Sequence, residues 1–182
     1  MRLRITLAAV CAVVAVAALT TIVTAKPPTT VVLDATLRDA AGTAVGTVSF
    51  KSTAWRSIDV QARVRGMRPG FHGFHIHSVG TCDAPKFTSA KGHLKVEGQS
   101  HGEHAGDMSS LLVKGNGTAT LRVTTDRFTL ADLRDADGSA VMVHSESDNF
   151  ANVPPRYAPA GPDQETQDTG DSGARVACGE VK

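Results

Sequence analysis

Short runs in which apolar and polar residues alternate dominate the chain from residue 31 onward. Such runs cover residues 31–37, 45–50 and 58–64, and glycine-containing turns separate them. A period of two is typical of antiparallel strands with one buried face. Residues 111–123 predict two further strands around the hairpin turn Lys114–Gly117. Residues 140–143 are continuously apolar and predict a buried strand, and residues 176–181 predict the last one.

The count of seven or eight strands predicts an all-β fold. We expect a Greek-key β-sandwich or flattened eight-stranded barrel. Helical periodicity is weak everywhere and is visible only over residues 130–134. Two long stretches, residues 78–108 and 146–174, have no regular pattern, and loops of that length are usually functional or disordered. We expect the first loop to fold around a metal and the second to cover the site.

The N-terminus has the layout of a secretory signal peptide. Arg2 and Arg4 precede an uncharged, mostly apolar stretch, which ends in the small residues Val23-Thr24-Ala25. We therefore divide the chain into a signal peptide at residues 1–25 and a single β domain at residues 26–182. The apolar stretch is long, so a retained N-terminal anchor, and with it membrane association, is the alternative. Either way, the protein is expected to be exported to an extracellular, periplasmic or cell-envelope location.

Charge and cysteine content narrow the function classes. The 182-residue chain has a formal net charge of +1, which gives no reason to expect a nucleic-acid partner. Of its three cysteines, Cys11 lies in the predicted signal peptide, and Cys82 and Cys178 lie in the domain. An even pair in an exported chain indicates a disulfide, with two buried thiols as the alternative.

All seven histidines fall between residues 72 and 144. His75 and His77 share one face of a predicted strand, and Phe74 and Ile76 share the other. His144 ends a second strand. Imidazoles without a thiolate suit Cu(II), and a set of three imidazoles and a carboxylate suits zinc. The second set would be His93, His101, His104 and Asp107, and an imidazole that binds through both nitrogens would let His93 belong to both sets.

Five motifs carry a specific resemblance to a known family. The segments HGFHIH, KGHL, HAGD, VHSESDN and GARVACGEV occur in that order between residues 72 and 181, and the resemblance covers residues 31–182. In these motifs the chain resembles the bacterial-type copper,zinc superoxide dismutases. The resemblance implies an enzyme that converts superoxide to oxygen and hydrogen peroxide, with copper as the redox metal and zinc in a structural role.

The resemblance also implies roles for individual residues. The copper ligands would be His75, His77, His93 and His144, and the zinc ligands His93, His101, His104 and Asp107. His93 would bridge the metals and supply a proton, and Arg175 would attract the anionic substrate. Asp148 would link a copper histidine to a zinc histidine, His72 would be structural, and Cys82 and Cys178 would form the disulfide.

Departures from the family pattern leave alternatives open. Lys95-Val96 stands where the family usually has Asn or Asp followed by Pro, and the segment between His101 and His104 is short. Copper without zinc is therefore one alternative. A copper-binding protein without dismutase activity and an adhesion-type sandwich with incidental histidines are two others. The sequence does not decide between a monomer and a homodimer.

Overall fold

The computed structural model describes residues 31–53, 55–95 and 98–182, so the predicted signal peptide or anchor lies outside the described residues. Within these ranges the strands are β1 (Val32–Asp39), β2 (Ala44–Ser52), β3 (Ile58–Val64), β4 (Gly70–His72), β5 (Phe74–His77), β6 (Leu111–Val113), β7 (Ala119–Thr125), β8 (Ala140–His144) and β9 (Arg175–Glu180). One short helix, α1 (Gln164–Thr169), and 3₁₀ turns at Thr88–Ala90 and Asp132–Arg134 complete them. None of the helices in this part of the chain has the length and apolar character needed to cross a bilayer.

Seven strands form one strongly curled antiparallel sheet in the order β5-β8-β9-β1-β2-β3-β7, and β4 pairs with β6. The neighbours β3 and β7, β5 and β8, and β9 and β1 are distant in sequence, so long connections cross the molecule. The all-β prediction is confirmed. The predicted strand count omits β4, because three residues are too few to show an alternation.

The curled sheet encloses a core built by alternation. Leu33, Ala35 and Leu37 of β1 point inward, as the sequence pattern predicts. Strand β8 is buried on both faces. Val141 and Val143 join the main core, whereas Ala140 and Met142 pack against Phe87 and Cys178 beneath a loop. This two-sided burial explains why the sequence of β8 is continuously apolar.

The backbone of the first long loop pairs with the edge of β5 that no other strand occupies. The Leu94 amide donates to the Ile76 carbonyl at 2.8 Å, and the Ile76 amide donates to the Gly106 carbonyl at 2.9 Å. Gly106 also donates to Leu94 at 2.7 Å, and a Cβ at Gly106 would collide with the Ile76 carbonyl. The edge strand is therefore paired rather than open. His93, which precedes Leu94, and Asp107, which follows Gly106, are therefore held beside β5.

Candidate metal centre

Two neighbouring strands and one long loop bring six of the seven histidines together. Strand β5 carries His75 and His77, and the adjacent strand β8 ends at His144. Isolated bridges pair His77 with His93 and His75 with Asp107, which brings the long first loop against the same face. The alternation predicted for β5 places Phe74 and Ile76 in the hydrophobic core on the opposite face.

The first cluster consists of His75, His77, His93 and His144. Their ring nitrogens can be chosen so that all lie within 4.8 Å of one another, and all four residues are buried. Three buried nitrogens in it have no hydrogen-bond partner among the described residues: His75 Nδ1, His77 Nε2 and His144 Nε2. Buried polar atoms are normally paired, so these converging nitrogens fit a metal ion.

The other nitrogen of each ring is fixed by a neighbour. His75 Nε2 donates to Asp148 Oδ2 at 2.7 Å, His77 Nδ1 to the Lys91 carbonyl at 2.8 Å, and His144 Nδ1 to the Gly173 carbonyl at 3.1 Å. Because a carbonyl only accepts, His77 and His144 each carry their proton on Nδ1 and present a lone pair on Nε2. This pattern of outer contacts orients the rings of metal-binding histidines.

Burial keeps the imidazoles of His77, His93 and His144 neutral. Desolvation lowers the pKa of His77 well below its ordinary value of 6.5. The same cause lowers the pKa of His144 to about 3. Burial also lowers the pKa of His93, to about 4, although its bond to Asp107 opposes the shift. At neutral pH the lone pairs are therefore available to a metal without prior loss of a proton.

The second cluster is centred on Asp107. Its Oδ1 lies 3.0 Å from His93 Nδ1, 3.2 Å from His101 Nδ1 and 3.3 Å from His104 Nδ1. Three imidazole nitrogens and one carboxylate oxygen are the donor set that zinc accepts in closed tetrahedral sites. His75 is also close to this set. Its Nε2, however, is bonded to Asp148, whereas His104 Nδ1 lies 3.3 Å from His93 Nδ1, so His104 fits better as the fourth donor.

Asp148 joins the two clusters. Besides the bond from His75, its Oδ1 accepts from His101 Nε2 at 2.7 Å and from the Phe150 amide at 2.7 Å. Burial raises the pKa of Asp148, but the bonds from His101 and His75 outweigh it and hold the pKa below its usual range. Burial lowers the pKa of His101, but the neighbouring carboxylates of Asp107 and Asp148 raise it to about 9. A metal at His101 Nδ1 must therefore displace a proton.

A cleft of about 520 Å³ opens over the first cluster. His77, His93 and His144 line it together with Arg175, whose guanidinium donates to the Phe87 and Lys91 carbonyls at 2.6 Å each. Lys95 and the acidic residues Glu165, Asp168 and Asp171 also lie on its wall. A small anion entering the cleft would meet a fixed positive charge beside the histidines.

The remaining candidates lie outside the two clusters. His72 Nδ1 is 2.7 Å from the His144 carbonyl, and its Nε2 is 2.7 Å from the Arg68 carbonyl, so its ring connects backbone segments. Cys82 and Cys178 form a disulfide that joins the first loop to β9.

Gly170 is a site residue that the sequence interpretation missed. It has a φ of +61° at the end of α1, and a Cβ there would collide with Asp148 Oδ1 and His101 Nε2. The signal was present as a glycine after a polar run, the usual position of a helix C-cap. A six-residue helix is too short to reveal itself by periodicity.

Comparison with known proteins agrees with this arrangement. Residues 44–181 match the family model described as copper/zinc superoxide dismutase (SODC). The chain is 42% identical over 166 residues to the superoxide dismutase [Cu-Zn] of Mycobacterium tuberculosis, covering 82% of this chain and 69% of that protein. The corresponding protein of Mycolicibacterium paratuberculosis is 41% identical over 157 residues, covering 77% and 69%.

Among solved structures, a SOD-like protein from Bacillus subtilis superposes with a TM-score of 0.67 at 28% identity, covering 82% of this chain and 97% of that one. The fold, the two clusters of metal-type donors and the relatives therefore agree. This chain belongs to the copper/zinc superoxide dismutase family.

Proposed function

We propose that this protein disproportionates superoxide at a copper ion held by His75, His77, His93 and His144. The observation that supports this most directly is the convergence of three unpaired, buried imidazole nitrogens beside a cleft that also contains Arg175. Bound copper would supply alternating one-electron chemistry, by which two superoxide anions and two protons become oxygen and hydrogen peroxide.

We propose His93, His101, His104 and Asp107 as the zinc ligands. Asp107 Oδ1 and the three Nδ1 atoms form a compact set of closed-site type. His93 uses Nδ1 toward this set, which leaves Nε2 for the copper cluster. We assign to His93 Nε2 the proton that is delivered to the reduced product, and to Asp148 the orientation of His75 and His101 from outside both sets.

Arg175 attracts and orients the anionic substrate in this proposal. Its two short bonds to the Phe87 and Lys91 carbonyls fix the guanidinium at the cleft wall. Enzymes of this family are established examples of electrostatic steering, which raises encounter rates and makes them sensitive to salt.

The proposed working location is outside the cytoplasm. The disulfide between Cys82 and Cys178 is typical of proteins in oxidising compartments. Residues 1–25 would direct export, either as a cleaved signal peptide or as an anchor that associates with the membrane. A measurement of the mass in solution would distinguish a monomer from a homodimer.

Superoxide removal by the copper- and zinc-loaded domain, residues 26–182, tests the proposal. We expect superoxide to decay with first-order kinetics at a rate proportional to the protein concentration, with one hydrogen peroxide formed for every two anions consumed. The matched control is the variant His77→Ala loaded in the same way, because it loses one donor of the copper cluster and none of the zinc cluster. Stoichiometric copper without superoxide removal would instead indicate a copper-binding protein.

A further inference from the structure

An arginine outside both clusters holds the turn that carries two of the proposed zinc ligands. Arg127 lies in the loop after β7, and its Nη1 is 2.9 Å from the Gly102 carbonyl and 3.2 Å from the His104 carbonyl. A guanidinium Nη1 carries two hydrogens, so a single nitrogen can donate to both carbonyls. These carbonyls belong to the turn that presents His101 and His104.

Asp107 holds the same turn through its amides. Its Oδ2 accepts hydrogen bonds from the Gly102 amide at 2.6 Å and the His104 amide at 3.0 Å, while its Oδ1 faces the ring nitrogens. The peptide groups at residues 102 and 104 are thus fixed by Asp107 through their N–H groups and by Arg127 through their carbonyls.

Arg127 is itself connected to the end of β7 and to the hydrophobic core. Its amide donates to Thr125 Oγ1 at 3.2 Å, and the next residue, Phe128, is buried against Phe50 with the ring centroids 6.2 Å apart. Among the described residues of the loop it contacts, 78–95 and 98–108, the only regular element is the turn at Thr88–Ala90. Another contact of this loop, the ion pair between Lys95 and Asp168 at 3.5 Å, is exposed and contributes little.

We propose that Arg127 is a positioning residue for zinc, an inference that rests on the proposed zinc site. By fixing the carbonyls of Gly102 and His104, it arranges the Nδ1 atoms of His101 and His104 before the metal arrives. Its positive charge opposes the binding of a cation. The two effects therefore have opposite signs, and the hydrogen bonds must outweigh the charge for the proposal to hold.

Titration of the metal-free protein with zinc against a competing chelator tests this inference. Arg127→Gln should lower zinc affinity about 10- to 100-fold, the usual cost of losing a contact that orients metal ligands. Arg127→Lys keeps the opposing charge but loses the two-carbonyl geometry, so its zinc affinity should be no higher than that of Arg127→Gln. Cobalt in place of zinc should give weaker tetrahedral absorption bands in Arg127→Gln, and copper affinity at the other cluster should stay within twofold of the parent.

The matched control is Arg122→Gln, which removes a guanidinium that makes two bonds to Asp59 on β3 and none to the zinc turn. It should bind zinc like the parent. Zinc binding by Arg127→Gln as tight as, or tighter than, that of the parent would overturn the inference. A parent protein that binds no zinc would overturn it as well, yet superoxide removal by the copper-loaded protein would still stand as a separate result.

Discussion

At the scale of single residues, the hydrogen bond made by one nitrogen of each imidazole determines which nitrogen is left to bind a metal. The N–H of His77 faces the Lys91 carbonyl and that of His144 faces the Gly173 carbonyl, and burial keeps both rings neutral. The lone pairs that remain point to a common centre. The sequence motifs identify which histidines to group. They do not reveal which nitrogen is free, because that depends on carbonyls that are distant in the chain.

Arg175 offers the sharpest test at the residue scale. Arg175→Glu should slow superoxide removal at least tenfold at low ionic strength, because it replaces the attracting charge with a repelling one. Raising the salt concentration should slow the parent and slow the variant much less. The readouts are the second-order rate constant and the copper content.

Two companion variants separate steering from structure. Arg175→Lys keeps the charge but not the bonds to Phe87 and Lys91, so it should retain most of the salt dependence. Arg134→Glu reverses an exposed charge that does not line the cleft, and it should leave the rate nearly unchanged. An unchanged rate in Arg175→Glu with copper bound would refute the steering role.

At the scale of elements, regular alternation was predictable, whereas short elements without a hairpin turn beside them were not. The inward face of β1 and the two faces of β5 follow from a period of two, and the buried strand β8 follows from its apolar run. The three residues of β4 and the six of α1 are too few to produce a period. The acidic segment 163–171 lies in the second long stretch and has structural roles: Asp163 caps α1, and Asp171 accepts bonds from Asn149 and Thr166.

Gly170→Ala tests the contact between α1 and the metal centre. A methyl group there would meet Asp148 and His101, and the left-handed backbone at +61° adds a cost of about 1–2 kcal/mol. We expect lower zinc affinity and lower stability. Gly161→Ala is the control, because Gly161 has a φ of +87° but no heavy atom within 4 Å of the added Cβ. Equal zinc affinities in the two variants would contradict the proposed contact.

The strand pair β3–β7 predicts a pH-dependent contribution to stability. A hydrogen bond from Arg122 lowers the pKa of Asp59 below its ordinary 3.8, against the opposing effect of burial. For a lowered pKa, the stabilisation is fully present above the unfolded value and is lost as the pH falls through the folded value.

Urea unfolding of the parent and of Arg122→Gln should therefore differ most near pH 6 and progressively less below about pH 4. A difference that stays constant, or widens on acidification, would show that the charge pair is not the source of the stabilisation.

At the scale of the whole molecule, the disulfide ties the metal loop to the last strand of the sheet. The 96-residue separation between Cys82 and Cys178 makes the closed loop long. In the chain-entropy model, such a crosslink stabilises the folded state by about 4–5 kcal/mol. The sequence predicted this pair from the even cysteine count of the exported domain, and the structure confirms it.

Replacing both cysteines with serine should therefore lower the free energy of unfolding of the metal-free domain by up to about 4–5 kcal/mol, measured in urea. The reduced parent protein is the matched control and should show a loss of similar size. A loss well below 1 kcal/mol in both would show that residual structure already restrains this loop in the unfolded chain.

The most direct test of the whole account is the copper and zinc content per chain of the reconstituted domain, with the copper environment read by electron paramagnetic resonance. The account predicts one copper with nitrogen ligation and one zinc for each chain. A domain that binds copper but no zinc would contradict the assignment of the zinc ligands and would leave the assignment of the copper site in place. A domain that binds neither metal in stoichiometric amounts would contradict the central claim that the clustered imidazoles form a metal centre.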